Sequence, residues 1–178
     1  IFVCEMGARH VGDIKEICDI VHPDDGIITS IGYQHLETFQ SLDHIIGTKY
    51  ELFDAVEEKK RAQGARPGKN LKFINGDNEI IASHMKYPDA ITYGTKEGNQ
   101  YRATDLTVSK TGTTFTVTSP DGDSAEYTTK LVGQHNVENI VGAIACANCM
   151  GIPLGKLRPA VRRLQPVPHR LELVQHGA

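Results

Sequence analysis

A chain of 178 residues with 39% hydrophobic and 23% charged side chains has the composition of a globular domain large enough to bury one core. Nineteen basic against twenty-two acidic side chains give a formal charge of -3 without a basic stripe, and no apolar run reaches bilayer length, so neither nucleic acid nor membrane is an expected partner. Four cysteines, at 4, 18, 146 and 149, fall in apolar or helical patterns rather than in a disulfide framework, which fits a reducing cytoplasm.

Ile1 to Cys4 is an unbroken apolar run, expected to be a strand buried on both faces as in a parallel sheet. Asp13-x-x-Glu16 has the form of a capping box, and Ile14, Ile17, Cys18 and Val21 recur at helical spacing until Pro23. Gly26 to Ile31 reads as a second strand. Ser41 is placed to cap a long helix from Leu42 through Gln63. Leu71–Ile74 and Ala90–Tyr93 are shorter strand candidates around a helical stretch at Asn78–His84. From 101 to 132 threonines dominate and apolar residues alternate with polar ones, with a hairpin at Pro120-Asp121-Gly122: a small antiparallel β insert. Helix returns over Gly133–Met150 and from Pro153 to Leu164. The expectation is one α/β domain, a mostly parallel sheet flanked by helices: residues 1–100 form the α/β part, 101–132 the insert and 133–178 the helical return. The chain starts inside an apolar run and stops at His176-Gly177-Ala178 before an element is complete, so it reads as a piece of a longer protein.

Chemistry is most legible where a residue contradicts the burial of its neighbours. Glu5 directly follows the first apolar run, at the carboxyl end where open parallel sheets place ligands, and a carboxylate there suits Mg²⁺; a surface carboxylate is the plain alternative. Lys49 occupies a gap in the stripe Leu42, Ile45, Ile46, Phe53 and Val56 and is expected to face inward, unless its ammonium snorkels to water. His35 lies just beyond the second strand, where adjacent loops would bring it to Glu5, or else it is simply polar surface. Asn136 and Asn139 open a helix on one face and offer the donor and acceptor an adenine edge needs, while Asn136 could equally be an N-cap. Gly68-Lys69-Asn70 imitates a phosphate loop, but Gln63 stands where the first Gly is required and Asn70 replaces Ser or Thr. Cys146-x-x-Cys149 lies within a helix without a second ligand pair, so core packing is the better account of it.

In order along nearly the whole chain, four blocks resemble the central domain of the Mur ligase family, nearest its D-alanyl-D-alanine-adding branch. These are Glu5-Met6-Gly7-Ala8 with Gly12-Asp13-Ile14, Ile28-Thr29-Ser30-Ile31-Gly32 with His35-Leu36-Glu37, Lys49-Tyr50-Glu51-Leu52, and Gly133-x-His135-Asn136-x-x-Asn139 with Pro168-His169-Arg170-Leu171-Glu172. Ser30 and Gln34 depart from that branch's usual Asn and Ala. The resemblance implies a P-loop NTPase-like core whose phosphate loop precedes Ile1. It implies that Glu5, His35 and a carbamylated Lys49 hold magnesium, that Asn136 and Asn139 contact adenine, and that Arg170, with His169 beside it, reaches the ribose or phosphates of ATP. The implied reaction activates a carboxylate of a UDP-linked peptide as an acyl phosphate and joins it to an amine, in a monomeric cytoplasmic enzyme of peptidoglycan precursor synthesis; the isolated piece is expected to lack turnover. Another amide ligase of the superfamily, of folylpolyglutamate or fusion type, and a non-catalytic nucleotide-binding module are the alternatives.

Overall fold

The computed structural model describes residues 1–34, 36–64 and 69–166. In chain order these form α1 (Asp13–Val21), β1 (Gly26–Ile28), α2 (Leu36–Phe39), α3 (Leu42–Gln63), β2 (Lys72–Asn75), α4 (Glu79–Ser83), β3 (Ile91–Gly94), β4 (Tyr101–Ser109), β5 (Gly112–Thr118), β6 (Ser124–Thr129), α5 (Gln134–Cys149) and α6 (Leu154–Arg162). The strands make a mixed sheet in the order β1-β2-β3-β4-β5-β6, with β1/β2 and β3/β4 parallel and β4/β5 and β5/β6 antiparallel. This is the expected α/β architecture with an antiparallel addition. The chain divides into two compact units, Ile1–Thr92 and Tyr93–Ala178.

In the first unit α3 is the organising element. Ser41 sits in extended backbone at its start and its Oγ accepts from His44 N–H at 3.2 Å, while Asp43 in the first turn and Lys60 and Arg61 in the last complement the helix dipole. The helix buries Ile45, Ile46, Tyr50 and Phe53 in a cluster with Ile28, Ile31, Phe39, Ile74 and Ile81. Each fully buried side chain of this kind contributes roughly 1.5–3 kcal/mol of transfer free energy. Phe53 meets Tyr50 and Tyr87 edge-on. The close seat of α3 on β1 depends on Gly26, where a Cβ would stand 2.9 Å from Leu52 Cγ and 3.3 Å from Phe53 Cδ1.

All four residues of β2 are buried, Lys72 included. Its Nζ donates to Glu57 of α3 and, at 2.9 Å, to Asp89 before β3, and lies 5.1 Å from the Tyr87 ring centroid. Burial by itself would lower the pKa of this ammonium; the hydrogen bonds it donates to Asp89 and Glu57 more than offset that and hold it above the ordinary 10.5. The same bonds hold Glu57 and Asp89 below the usual carboxylate range.

Two expectations fail in this unit. Ile1 to Cys4 is not a buried strand: Ile1, Phe2 and Val3 are exposed without regular structure, because a strand exists only with a hydrogen-bonded neighbour and β1 pairs with β2 alone among the described residues. The capping box is also absent. Gly12, with φ 94°, is the N-cap of α1, and Asp13 turns its carboxylate back onto Arg9 and His10 N–H.

In the second unit the threonine-rich stretch is a three-stranded meander. Phe115 and Val117 of β5 and Ala125 and Tyr127 of β6 point inward, with Phe115 and Tyr127 cross-strand partners and their rings stacked 5.8 Å apart. Tyr127 donates to Leu154 C=O at 2.8 Å, which pins α6. Helix α5 buries Val137, Ile140, Val141, Ile144 and Ala145. No described helix is long and apolar enough to cross a membrane.

Candidate functional site

The segment ahead of α1 alternates. Cys4, Met6 and Ala8 are half-buried while Glu5 and Gly7 are exposed, so alternate side chains turn toward the protein. Met6 Sδ lies 3.9 Å from Cys18 Sγ, whose thiol is pushed up to about 11 by burial, and Ala8 packs on the α3 cluster. The carboxylate of Glu5 therefore faces outward.

Beyond Ala8 the loop is fastened at three places. Asp13 Oδ2 accepts from Arg9 N–H at 2.7 Å and His10 N–H at 2.8 Å, and these backbone donors hold its pKa below the ordinary 3.8. Thr38 of α2 donates to Arg9 C=O. Glu51 of α3 accepts from Gly12 N–H at 3.1 Å and from Lys15 N–H at 2.9 Å. Glu51 stands two residues past Lys49, so the loop that follows Glu5 is joined to α2 through Thr38 and to the helix bearing Lys49 through Glu51.

Lys49 is half-buried on α3, between the buried Thr48 and Tyr50. Its helical neighbours at i-4, i-3 and i+4 are the buried Ile45, Ile46 and Phe53, so its stem borders the packed stripe. Among the described residues no three His, Cys, Asp or Glu side chains gather into a metal-binding group, and His35 lies outside the described residues.

In the second unit α5 starts after Gly133, which has φ 101° and is the N-cap, so Asn136 is not the cap. Asn136 Nδ2 donates to Val132 C=O at 2.9 Å, and Asn139 Nδ2 lies 3.3 Å from His135 Nε2. Asn139 is exposed and Asn136 half-buried. His169 and Arg170 lie outside the described residues.

Glu51, Lys72, Asn75 and Asp77 are not among the candidate site residues that the sequence offers. In the sequence Glu51 stands out only as part of the block Lys49-Tyr50-Glu51-Leu52, and Lys72 only as part of the strand candidate Leu71–Ile74. Asn75 and Asp77 are buried at the carboxyl end of β2, where Asn75 Oδ1 accepts from Asp77 N–H at 2.9 Å and Asn78 Nδ2 donates to Ile31 C=O at 3.0 Å. The Asn-x-Asp pattern directly after a strand was the available signal, since such side chains close turns on their own backbone.

The model of the Mur ligase middle domain matches residues 1–147. The chain belongs to that family. It is 27% identical over 183 residues to the UDP-N-acetylmuramoyl-tripeptide D-alanyl-D-alanine ligase of Escherichia coli, covering 97% of this chain and 37% of the relative. It is 30% identical over 172 residues to the UDP-N-acetylmuramoyl-L-alanyl-D-glutamate 2,6-diaminopimelate ligase of Geobacillus kaustophilus, covering 96% and 33%. A crystal structure of MurF from Acinetobacter baumannii superposes with TM-score 0.77 at 25% identity over 96% of this chain and 35% of that one. MurF of Thermotoga maritima in complex with ADP superposes with TM-score 0.75 at 21% identity, over 96% and 37%. This Mur ligase middle domain thus spans about a third of the length of these relatives.

Proposed function

We propose that the full-length protein is an ATP-dependent ligase that adds D-alanyl-D-alanine to a UDP-linked muramoyl tripeptide, and that this chain is its magnesium- and adenine-binding middle domain. A carboxylate, an amine and ATP would give an amide, ADP and phosphate, with the carboxylate carried as an acyl phosphate between the two steps. The observation that carries the reading is the hydrogen bonding of the loop after Glu5 to α2 by Thr38 and to the Lys49 helix by Glu51.

The donor chemistry fits magnesium. Glu5 offers exposed hard oxygen, and Lys49 joins it once its ammonium gives up one proton and the neutral amine adds carbon dioxide with loss of a second, turning a cation into an anionic oxygen donor. Magnesium, when bound, would neutralise the phosphate oxygens between which charge moves. His35 would complete the set. Asn136 and Asn139 would read the adenine edge, and His169 and Arg170 would hold the ribose or phosphates. The chain alone, without a phosphate loop motif, is proposed to lack turnover.

The identity to diaminopimelate-adding ligases favours a second reading, in which the incoming amine is diaminopimelate. Full-length protein given each amine separately, with phosphate release as readout, decides between them; release with neither would leave a non-catalytic module. Lys49→Ala is expected to lower the rate about 10²-fold or more, the scale of losing one group that stabilises transferring charge, with partial rescue by acetate or formate. Full activity in that variant would sink the carbamate role.

A further inference from the structure

We propose that Glu51 is a positioning residue: its carboxylate fixes the Glu5 loop to the helix that carries Lys49, and so sets the spacing of the two groups assigned to metal and phosphate. The inference rests on the function proposed above.

A helix begins with backbone N–H groups that have no partner inside it. Gly12, the N-cap of α1, has no side chain to supply one, and Asp13 is turned backward onto Arg9 and His10. Glu51, 39 residues away from Gly12 and 36 from Lys15, accepts from both of their N–H groups. In a capping box the N-cap and N3 residues of one helix satisfy each other's N–H; here a single carboxylate from another helix serves both positions. Negative charge at that helix end is also favoured by the dipole. Because both donors are backbone groups, the tie does not depend on the side chains at 12 or 15. It depends on residue 51 presenting two oxygens.

The consequence is geometric. Glu5 is on the extended run that ends in this loop, and Lys49 is half a turn before Glu51 on α3, so the carboxylate is the shortest bonded route from one to the other. Thr38 holds Arg9 from α2 but does not touch α3 through that bond, so Glu51 alone references the Glu5 loop to the Lys49 helix by hydrogen bonding among the described residues.

The test uses full-length protein with Glu51→Gln, which keeps the size but one acceptor oxygen instead of two, Glu51→Ala, and Glu5→Gln as control. Two readouts are taken: amide hydrogen exchange at Gly12 and Lys15 in protein without nucleotide, and the magnesium concentration for half-maximal turnover. Glu51→Gln is expected to speed exchange at one or both amides and to raise half-saturating magnesium about tenfold, the effect of one charge-assisted hydrogen bond, with the KM for the peptide substrate little changed. Glu51→Ala should move both readouts further. Unaltered exchange in Glu51→Gln would show that the tie does not exist. Faster exchange with unaltered magnesium dependence, while Glu5→Gln shifts that dependence, would overturn the positioning role and leave the proposed function standing. A Glu5→Gln protein with normal magnesium dependence would overturn the metal assignment, and the positioning role with it.

Discussion

Replacing Lys72 by Met tests whether the buried ion network under α3 holds this unit together. Met preserves the length of the apolar stem and removes only the ammonium, so packing is nearly unchanged. Stranding a buried charge by deleting its partner costs roughly 3–5 kcal/mol. That full cost does not apply here: the Asp89 side chain is 57% exposed, and Glu57, at 17%, keeps Lys60 Nζ at 3.5 Å. What is lost is two charge-assisted hydrogen bonds, less the desolvation that Lys72 no longer suffers, for a net destabilisation of about 1–2 kcal/mol near neutral pH. In a chain of this size that lowers Tm by roughly 2–8 °C. The pH dependence follows from the signs. Glu57 and Asp89 are depressed below 4.5 and 3.8, so their contribution is complete above those values and disappears as pH falls through the depressed pKa values. Lys72 is raised above 10.5, so its contribution is complete below that value and is lost only as pH rises through the raised one. Urea unfolding of wild type and Lys72→Met should therefore differ from mildly acidic to mildly alkaline pH and converge as pH falls through the depressed pKa values of Glu57 and Asp89. A variant as stable as wild type near neutrality, or a gap undiminished in acid, would refute the electrostatic account.

Ser41→Ala removes the side chain that caps α3 and should cost about 1 kcal/mol in urea unfolding; an unchanged midpoint would mean that the first turn is held by packing alone. Gly112→Ala should be among the most damaging single changes in the second unit. Its φ is 148° and an added Cβ would overlap the Thr129 carbonyl oxygen, so the β5/β6 ladder must open there, at a cost of about 2 kcal/mol or more. Loss of amide protection at Thr113 and its neighbours reads this out, and intact protection would show that the backbone can yield.

Local chemistry made most of the architecture legible. Ser41 before an apolar stripe located α3 from Leu42 to Gln63, and the alternation around Phe115 and Val117 located the meander. The failures have a common cause. Ile1, Phe2 and Val3 carry the composition of a buried strand, but composition is silent about whether a neighbouring strand is there to pair with it. Asp13-x-x-Glu16 satisfied a capping pattern, yet the acceptor came from Glu51, and contacts across 39 positions leave no trace in local spacing. The four-residue α2 was too short to show a period. At the site, Lys49 drew notice by breaking a stripe, whereas Lys72 did so within a strand of only four residues, where one interruption cannot be told from noise.

The attachment of α3 has a mechanical side. Lys49 precedes Glu57 by eight residues, about 12 Å along the axis, so a tilt of about 3° pivoting at the Glu57–Lys72 tie would carry position 49 through about 0.6 Å. Productive active-site geometry tolerates about 0.5 Å. The helix is thus a lever whose fulcrum lies at the sheet, and if Lys49 has the role proposed for it, small changes in how the helix is footed there should register at position 49 before they register as unfolding.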